Sequence, residues 1–270
     1  MTTIATTRQT PSVIRAVRAE LVKLHNNTAP ITVTVLPFIM CGLVTVASMT
    51  SPYTSRPINA WLDTAASMIS FWSVLLPFFV ALTTALLAST EHNNNMWKHL
   101  FALPISRRSI YVSKQIIAIA LFGLSQLVVI GSVILAGLIL RSLKPDYGFD
   151  VAIPLADLLG MAAMTWLASW LIISLHLWMA VRFASFGPAI GFGLLAFLLN
   201  TLIAQRSDWW PRLFPWSLPA NFFASGLDRM LNGSPIKWEV AATSIAISVI
   251  GSLVAMLLAA WETSRRDVEK

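Results

Sequence analysis

Residues 91–114, "EHNNNMWKHLFALPISRRSIYVSK", form the most polar internal stretch of the chain and lie between two long apolar runs. Carboxylate, imidazole, amide, ammonium and guanidinium groups all occur in it, so the first question is whether they carry out covalent chemistry. Their spacing argues for recognition instead. The four histidines, His25, His92, His99 and His176, are scattered without partner cysteines or metal-ligand spacing, so no metal site is expected. No G-x-x-x-x-G-K-[ST] loop is present to hold a nucleotide phosphate, and neither a G-x-S-x-G nor an H-E-x-x-H sequence occurs. The apolar runs contain isolated polar residues, Gln126, Asp157, His176 and Asn200, which need partners if they sit in lipid. His176 with Ser174 or Ser169 is the one nucleophile–base pairing in reach. A hydrogen bond between helices is the plainer use of that histidine.

The surroundings of these groups are those of an integral membrane protein. Hydrophobic residues make up 56% of the 270 and charged residues 11%, against roughly 25% charged in soluble domains. Mean hydropathy is +0.71. The net charge of +7 suits anionic lipid headgroups, and nothing indicates a nucleic-acid partner. Cys41 is the single cysteine, which excludes an intrachain disulfide. Six runs, 30–49, 66–89, 115–140, 155–181, 185–204 and 240–261, are long and apolar enough for membrane-spanning helices of about 20 residues. The polar first 29 residues do not read as a signal peptide. With six spans both termini share a side, and twelve of the 19 Lys and Arg fall there, which makes that side cytoplasmic. The expected fold is a single all-α membrane domain over 1–270, with six transmembrane helices and both termini in the cytoplasm.

Three segments outside the spans carry pattern. In 11–26, Ile14, Val17, Leu21 and Leu24 share one helical face while Arg15, Arg18 and Lys23 line the others. This predicts an amphipathic interfacial helix whose basic side chains reach lipid phosphates. In 91–104, Met96, Trp97, Leu100, Phe101 and Pro104 gather on one side of a short helix that Pro104 ends, and Ser106 is placed to cap the next helix. The exposed Trp97 and Phe101 fit either a partner surface or anchoring in the bilayer interface, and both readings stay open on physical grounds. In 205–237, Trp209, Trp210, Trp216, Phe222 and Phe223 are mixed with Pro211, Pro215 and Pro219, which predicts re-entrant or interfacial pieces, with a tryptophan belt as the simpler reading. Pro37, Pro77 and Pro188 are candidate kinks in spans one, two and five. Gly187 and Gly191, four apart, match a close-packing pattern.

The pattern E-x5-W-K-x4-L-P-x-S-R followed by "IYVSK" resembles the permease subunits of ABC-2 type transporters, closest to the bacitracin and lantibiotic export or immunity branch. It is carried by Glu91, Trp97, Lys98, Leu103, Pro104, Ser106, Arg107, Ile110, Tyr111 and Lys114. "AELVKL", with Glu20, Leu21 and Lys23, and "FPWSLP" at 214–219 are similar to further motifs of that branch in the same order. The resemblance implies that 11–26 is an elbow helix bearing Arg15, Arg18, Glu20 and Lys23. It also implies that 91–104 contains a coupling helix. There, Glu91, Trp97, Lys98, Leu100, Phe101 and Pro104 meet an ATPase subunit.

It further implies two ATPase subunits that hold ATP and Mg, with no cofactor on this chain. The second permease chain would be identical or related and would pack through spans one and five, where Gly187 and Gly191 lie. The location would be the bacterial inner membrane. Function by resemblance is export by alternating access, with an amphiphilic peptide antibiotic as leading substrate, then a small hydrophobic drug or a lipid-linked compound. A membrane sensor or scaffold without transport is the alternative from another class. The chain itself is expected to be no enzyme.

Overall fold

The computed structural model describes residues 12–50, 59–93, 106–183, 186–204, 213–220 and 238–265. Among them are eight α-helices, one 3-10 turn at Pro145–Tyr147, and no strand. The helices are α1 (Ser12–Leu24), α2 (Ala29–Thr50), α3 (Ala60–Asn93), α4 (Arg107–Leu143), α5 (Leu155–Ala168), α6 (Trp170–Arg182), α7 (Phe186–Ala204) and α8 (Trp238–Arg265).

The pattern of burial identifies lipid as the solvent. On α2, Ala29, Val33, Pro37, Cys41 and Thr45 recur every four residues and face the bundle. The opposite face is also apolar and is exposed, through Ile31, Val35, Phe38, Leu43 and Val46. A helix apolar all round belongs in a membrane, where small side chains allow close helix packing and larger ones meet acyl chains. Four helices are long and apolar enough to cross, and a fifth crossing forms if α5 and α6 count as one span. At the position of the fifth predicted span, the apolar helix Gly187–Leu202 is shorter. The chain is an all-α membrane protein.

Helix α4 is the axis of the bundle: α1, α2, α3, α5, α6 and α8 all pack on it. It has 37 residues and α3 has 34, which makes each about 50 Å long at 1.5 Å per residue. Both therefore extend beyond a hydrocarbon core of about 30 Å. Their far end, opposite Glu91, is closed by aromatic packing. Asn59 Oδ1 accepts from the backbone N–H of Trp61 (3.0 Å) and Leu62 (3.3 Å), capping α3. Trp61 stacks edge-on with Phe149 at 5.2 Å and donates through Nε1 to the Val151 carbonyl at 3.2 Å. It lies so close to α4 that a Cβ at Gly137 would come within 2.3 Å of its ring. Tyr147 donates to Asp63 Oδ2 (2.7 Å), and Lys144 Nζ to the Ser48 carbonyl (2.7 Å).

One expectation about helix continuity changes. Helices α2 and α3 run through Pro37 and Pro77 without interruption, and Pro188 falls in the first turn of α7, where a missing N–H costs no helical hydrogen bond. Span four, read as one helix over 155–181, is instead broken at Ser169, with a 42° bend between α5 and α6. No proline causes this. Ser169 folds back, its N–H donating to Thr165 and Trp166 carbonyls and its Oγ to the Trp166 carbonyl. The Leu171 N–H just after the break is taken up by Ser248 Oγ on α8 at 3.1 Å. A hydroxyl on a neighbouring helix thus satisfies the backbone that the bend opens.

Candidate functional site

Four charged residues meet where α1 crosses the end of α3 and the start of α4. Glu20 and Lys23 lie three apart on α1, hence on one face. Glu91 stands in the last turn of α3 and Lys114 in the second turn of α4. Lys114 Nζ donates to Glu20 Oε2 (3.0 Å), to Glu91 Oε1 (2.8 Å) and to the Leu87 carbonyl (3.2 Å), which uses all three of its protons. Lys23 Nζ donates to Glu20 Oε1 (2.6 Å) and Glu91 Oε1 (2.8 Å). Two carboxylates and two ammoniums cancel. The cancellation matters because Glu91 is 0% exposed and Lys114 1%. Isolated charges at such positions would cost several kcal/mol each.

Hydroxyl and amide contacts set the elements around the cluster. Ser106 caps α4, its Oγ accepting from the Ser109 N–H at 3.1 Å, and Ser12 and Ser109 hydroxyls are 2.8 Å apart. In the turn between α1 and α2, Asn27 Nδ2 donates to the Leu86 carbonyl and to Thr90 Oγ1, both at 2.8 Å. The α1–α2 corner is therefore tied to the last turns of α3. Burial works against the Lys23 ammonium, but the carboxylates of Glu20 and Glu91 outweigh it and hold its pKa above the ordinary 10.5. Lys23 is thus charged throughout the neutral range.

This arrangement corrects the reading of α1. Lys23, expected to point to lipid phosphates, turns inward with Glu20 and Ala16. Ile14, Leu21 and Val22 are exposed, and Val17 and Leu24 pack against the core. The buried Lys114 needs carboxylates, and Glu20 on the same face of α1 as Lys23 is one of them. Arg15 is half-buried and Arg18 exposed. Of the residues assigned to 91–104, Glu91 is part of the cluster, while Trp97, Lys98, Leu100, Phe101 and Pro104 lie outside the described residues. Gly187 and Gly191 sit on the exposed face of α7. The outer aromatics Trp209, Trp210, Phe222 and Phe223 also lie outside the described residues. Trp216 is described, and it is no belt residue: it is 7% exposed and belongs to the main core.

The two serines nearest His176 in sequence have other partners. Ser174 Oγ accepts from Gln115 Nε2 (2.7 Å) and bonds Ser252 Oγ (2.7 Å), which joins α4, α6 and α8. Ser169 Oγ bonds within its own turn. Neither serine pairs with His176, whose Nε2 accepts from Trp216 Nε1 at 3.1 Å. Among the described residues no group of three His, Cys, Asp or Glu could hold a metal. What the cluster can do is mechanical. It joins α1, α3 and α4 at the two points between which residues 94–105 run.

That four charged residues from three helices form one unit was missed in the sequence. The available signal was that Glu20, Lys23, Glu91 and Lys114 all border apolar runs at the same end. No match was found among curated proteins. Residues 16–200 match the family described as ABC-2 family transporter protein. The match covers more than half of the 270 residues and takes in the whole charge cluster and the broken span, so the chain belongs to the ABC-2 transporter family.

Proposed function

We propose that this chain is the permease subunit of an ATP-driven exporter, working as two permease copies with two ATPase subunits and moving an amphiphilic compound, with a peptide antibiotic as leading class. Family membership makes it a multi-pass membrane subunit of an ABC transporter, with ATP hydrolysis on a partner chain. The proposal adds direction, copy number and substrate class, the six-span arrangement with cytoplasmic termini, and a bacterial inner-membrane location.

The observation that carries the mechanism is the buried cluster. Residues 94–105 are bounded by Glu91 and Lys114, and these two are bonded to each other and to α1. A force applied to 91–104 by an ATPase therefore reaches α3, α4 and the elbow helix together. Such motion moves the spans only if the ATP-bound ATPase pair favours one arrangement over the other. Packed elements respond by switching between discrete arrangements rather than by gradual deformation.

The test is ATPase activity of the chain purified with its partner in nanodiscs, comparing wild type with Trp97→Ala, Pro104→Gly and Glu91→Gln. The reading predicts a complex that hydrolyses ATP, is lost or uncoupled by the first two changes, and is uncoupled but still assembled with the third. An ATPase that never co-purifies would favour a sensor or scaffold. Variants that behave like wild type would reduce 91–104 to a lipid anchor.

A further inference from the structure

The broken span carries a conflict between its sequence and its shape. Residues 165–173, "TWLASWLII", contain neither proline nor glycine. Helix bends beyond about 20° arise at proline, at glycine–serine pairs, at π-bulges or where a foreign group enters the backbone ladder. The last is what is seen at this 42° bend. In a continuous helix the Leu171 N–H would donate to the Leu167 carbonyl, four residues back. It donates instead to Ser248 Oγ on α8, at 3.1 Å. The amide therefore has two acceptors, one belonging to a straight span and one to the bent span. Either of them satisfies it inside a membrane. Local sequence favours the first and packing supplies the second.

The two halves of the span are held unequally. Ser252, one turn beyond Ser248 on α8, bonds Ser174 Oγ of α6 at 2.7 Å, and Gln115 of α4 donates to the same oxygen at 2.7 Å. Further along α6, Trp178 Nε1 donates to Glu262 Oε2 of α8. Gly251 lets α8 come this near, since a Cβ there would stand 3.0 Å from Leu171 Cδ2. On α5, Trp166 Nε1 donates to the Ile119 carbonyl of α4 at 2.8 Å, close to the break. The far part of α5 rests on its neighbours through the apolar Leu158, Met161 and Ala162. Ser248 itself lies beyond the residues 16–200 that match the family.

We propose that Ser169 is a hinge, Ser248 its catch and α5 the arm that swings. With the Leu171 N–H on Ser248 the span is bent, and with it on the Leu167 carbonyl the span is one helix. Ser248 is then a positioning residue for transport, acting through the backbone of α6. The inference rests on the permease reading for its purpose, while the two acceptors stand without it.

Spin-label distances on the full chain with its ATPase in nanodiscs test it. One label goes on Leu159→Cys of α5, paired in turn with Val46→Cys of α2 and Leu257→Cys of α8, all three exposed, with the buried Cys41 replaced by Ala. The second reference reads a swing that is tangential to the first. Leu159 is about 15 Å along the axis from Ser169, so straightening by 42° carries it through about 11 Å. Without nucleotide the wild type should give chiefly one distance per pair. Trapping with ATP and vanadate should build up a second, displaced one. Ser248→Ala should raise that displaced population without nucleotide by roughly two- to tenfold, the effect of losing one neutral hydrogen bond. Ser248→Thr, which keeps the hydroxyl, should stay with wild type.

Unshifted distances in both nucleotide states, with hydrolysis intact, would overturn the hinge. So would Ser248→Ala matching wild type, or Ser248→Thr shifting as far as Ser248→Ala. A wild-type complex that does not hydrolyse ATP counts against the permease reading instead, and the Ser248 variants then decide the hinge without nucleotide. If Ser248→Ala does not fold, the wild-type comparison decides it.

Discussion

At one end of the α3–α4 pair, Glu91 and Lys114 close the gap with charge and bring Glu20 and Lys23 of α1 into the same cluster. At the other end Trp61 closes it with bulk, seated over Gly137 and against Phe149, and the polar contacts from Tyr147 and Lys144 are additions at the rim. The two solutions fail differently. Aromatic packing weakens by degrees as atoms are removed, because each contact is small and non-directional. A buried charge cluster is all or none, because loss of one member leaves its partners charged and dry. The charged end adjoins residues 94–105, where a signal from a soluble partner would arrive. The aromatic end has the character of a fixed clasp.

The largest effect should come from breaking charge balance. Lys114→Met leaves two buried carboxylates with Lys23 alone and should lower stability by about 3–5 kcal/mol. Thermal unfolding in nanodiscs reads this. Adding Glu91→Leu to Lys114→Met should recover a large part of the loss, since it restores neutrality with Glu20 and Lys23. Additive losses in that double-mutant cycle would show that the four groups do not act as a unit.

Next comes the clasp. Gly137→Ala puts a methyl where only 2.3 Å separates it from the Trp61 ring, and overpacking of this kind costs about 1–3 kcal/mol. Pairing it with Trp61→Leu should relieve much of the strain in the same melting experiment. If Gly137→Ala alone melts with wild type, Trp61 is free to move and the clasp is looser than its packing suggests.

A smaller loss, about 0.5–1.5 kcal/mol, is expected for Tyr147→Phe, which deletes the 2.7 Å bond to Asp63 and keeps the ring. If this change matches Lys114→Met in size, the contrast between the two ends is wrong.

The smallest effect is one of pH. Lys23 has its folded pKa held above 10.5, so its contribution is complete below that value and is lost only as pH rises through the raised one. Wild type and Lys23→Met should therefore keep a constant difference in melting temperature across the neutral range and converge only on the alkaline side. A difference that changes between mildly acid and neutral pH would mean that another group sets the charge of the cluster.

The sequence by itself determined that this is a helical membrane protein. The positions of five of the six apolar runs correspond to single helices, because about 20 apolar residues have few ways to satisfy their backbone in lipid except as a helix. It also determined the Ser106 cap of α4, since a hydroxyl three residues before the Ser109 N–H is a purely local relation. The motif residues Glu20, Lys23, Glu91 and Lys114 were visible one at a time.

Tertiary structure decided what these residues are for. Glu20 and Lys114 are far apart in the chain, and only the crossing of α1 over α4 brings them to 3.0 Å. The inward turn of Lys23 followed from this, because the carboxylates of Glu20 and Glu91 are there to pair with it. The break at Ser169 and the burial of Trp216 were equally out of reach. Each depends on a partner from another helix, Ser248 in one case and His176 in the other. Local sequence determines which backbone and side-chain groups need a partner, and the packing of distant helices determines which partner each one gets.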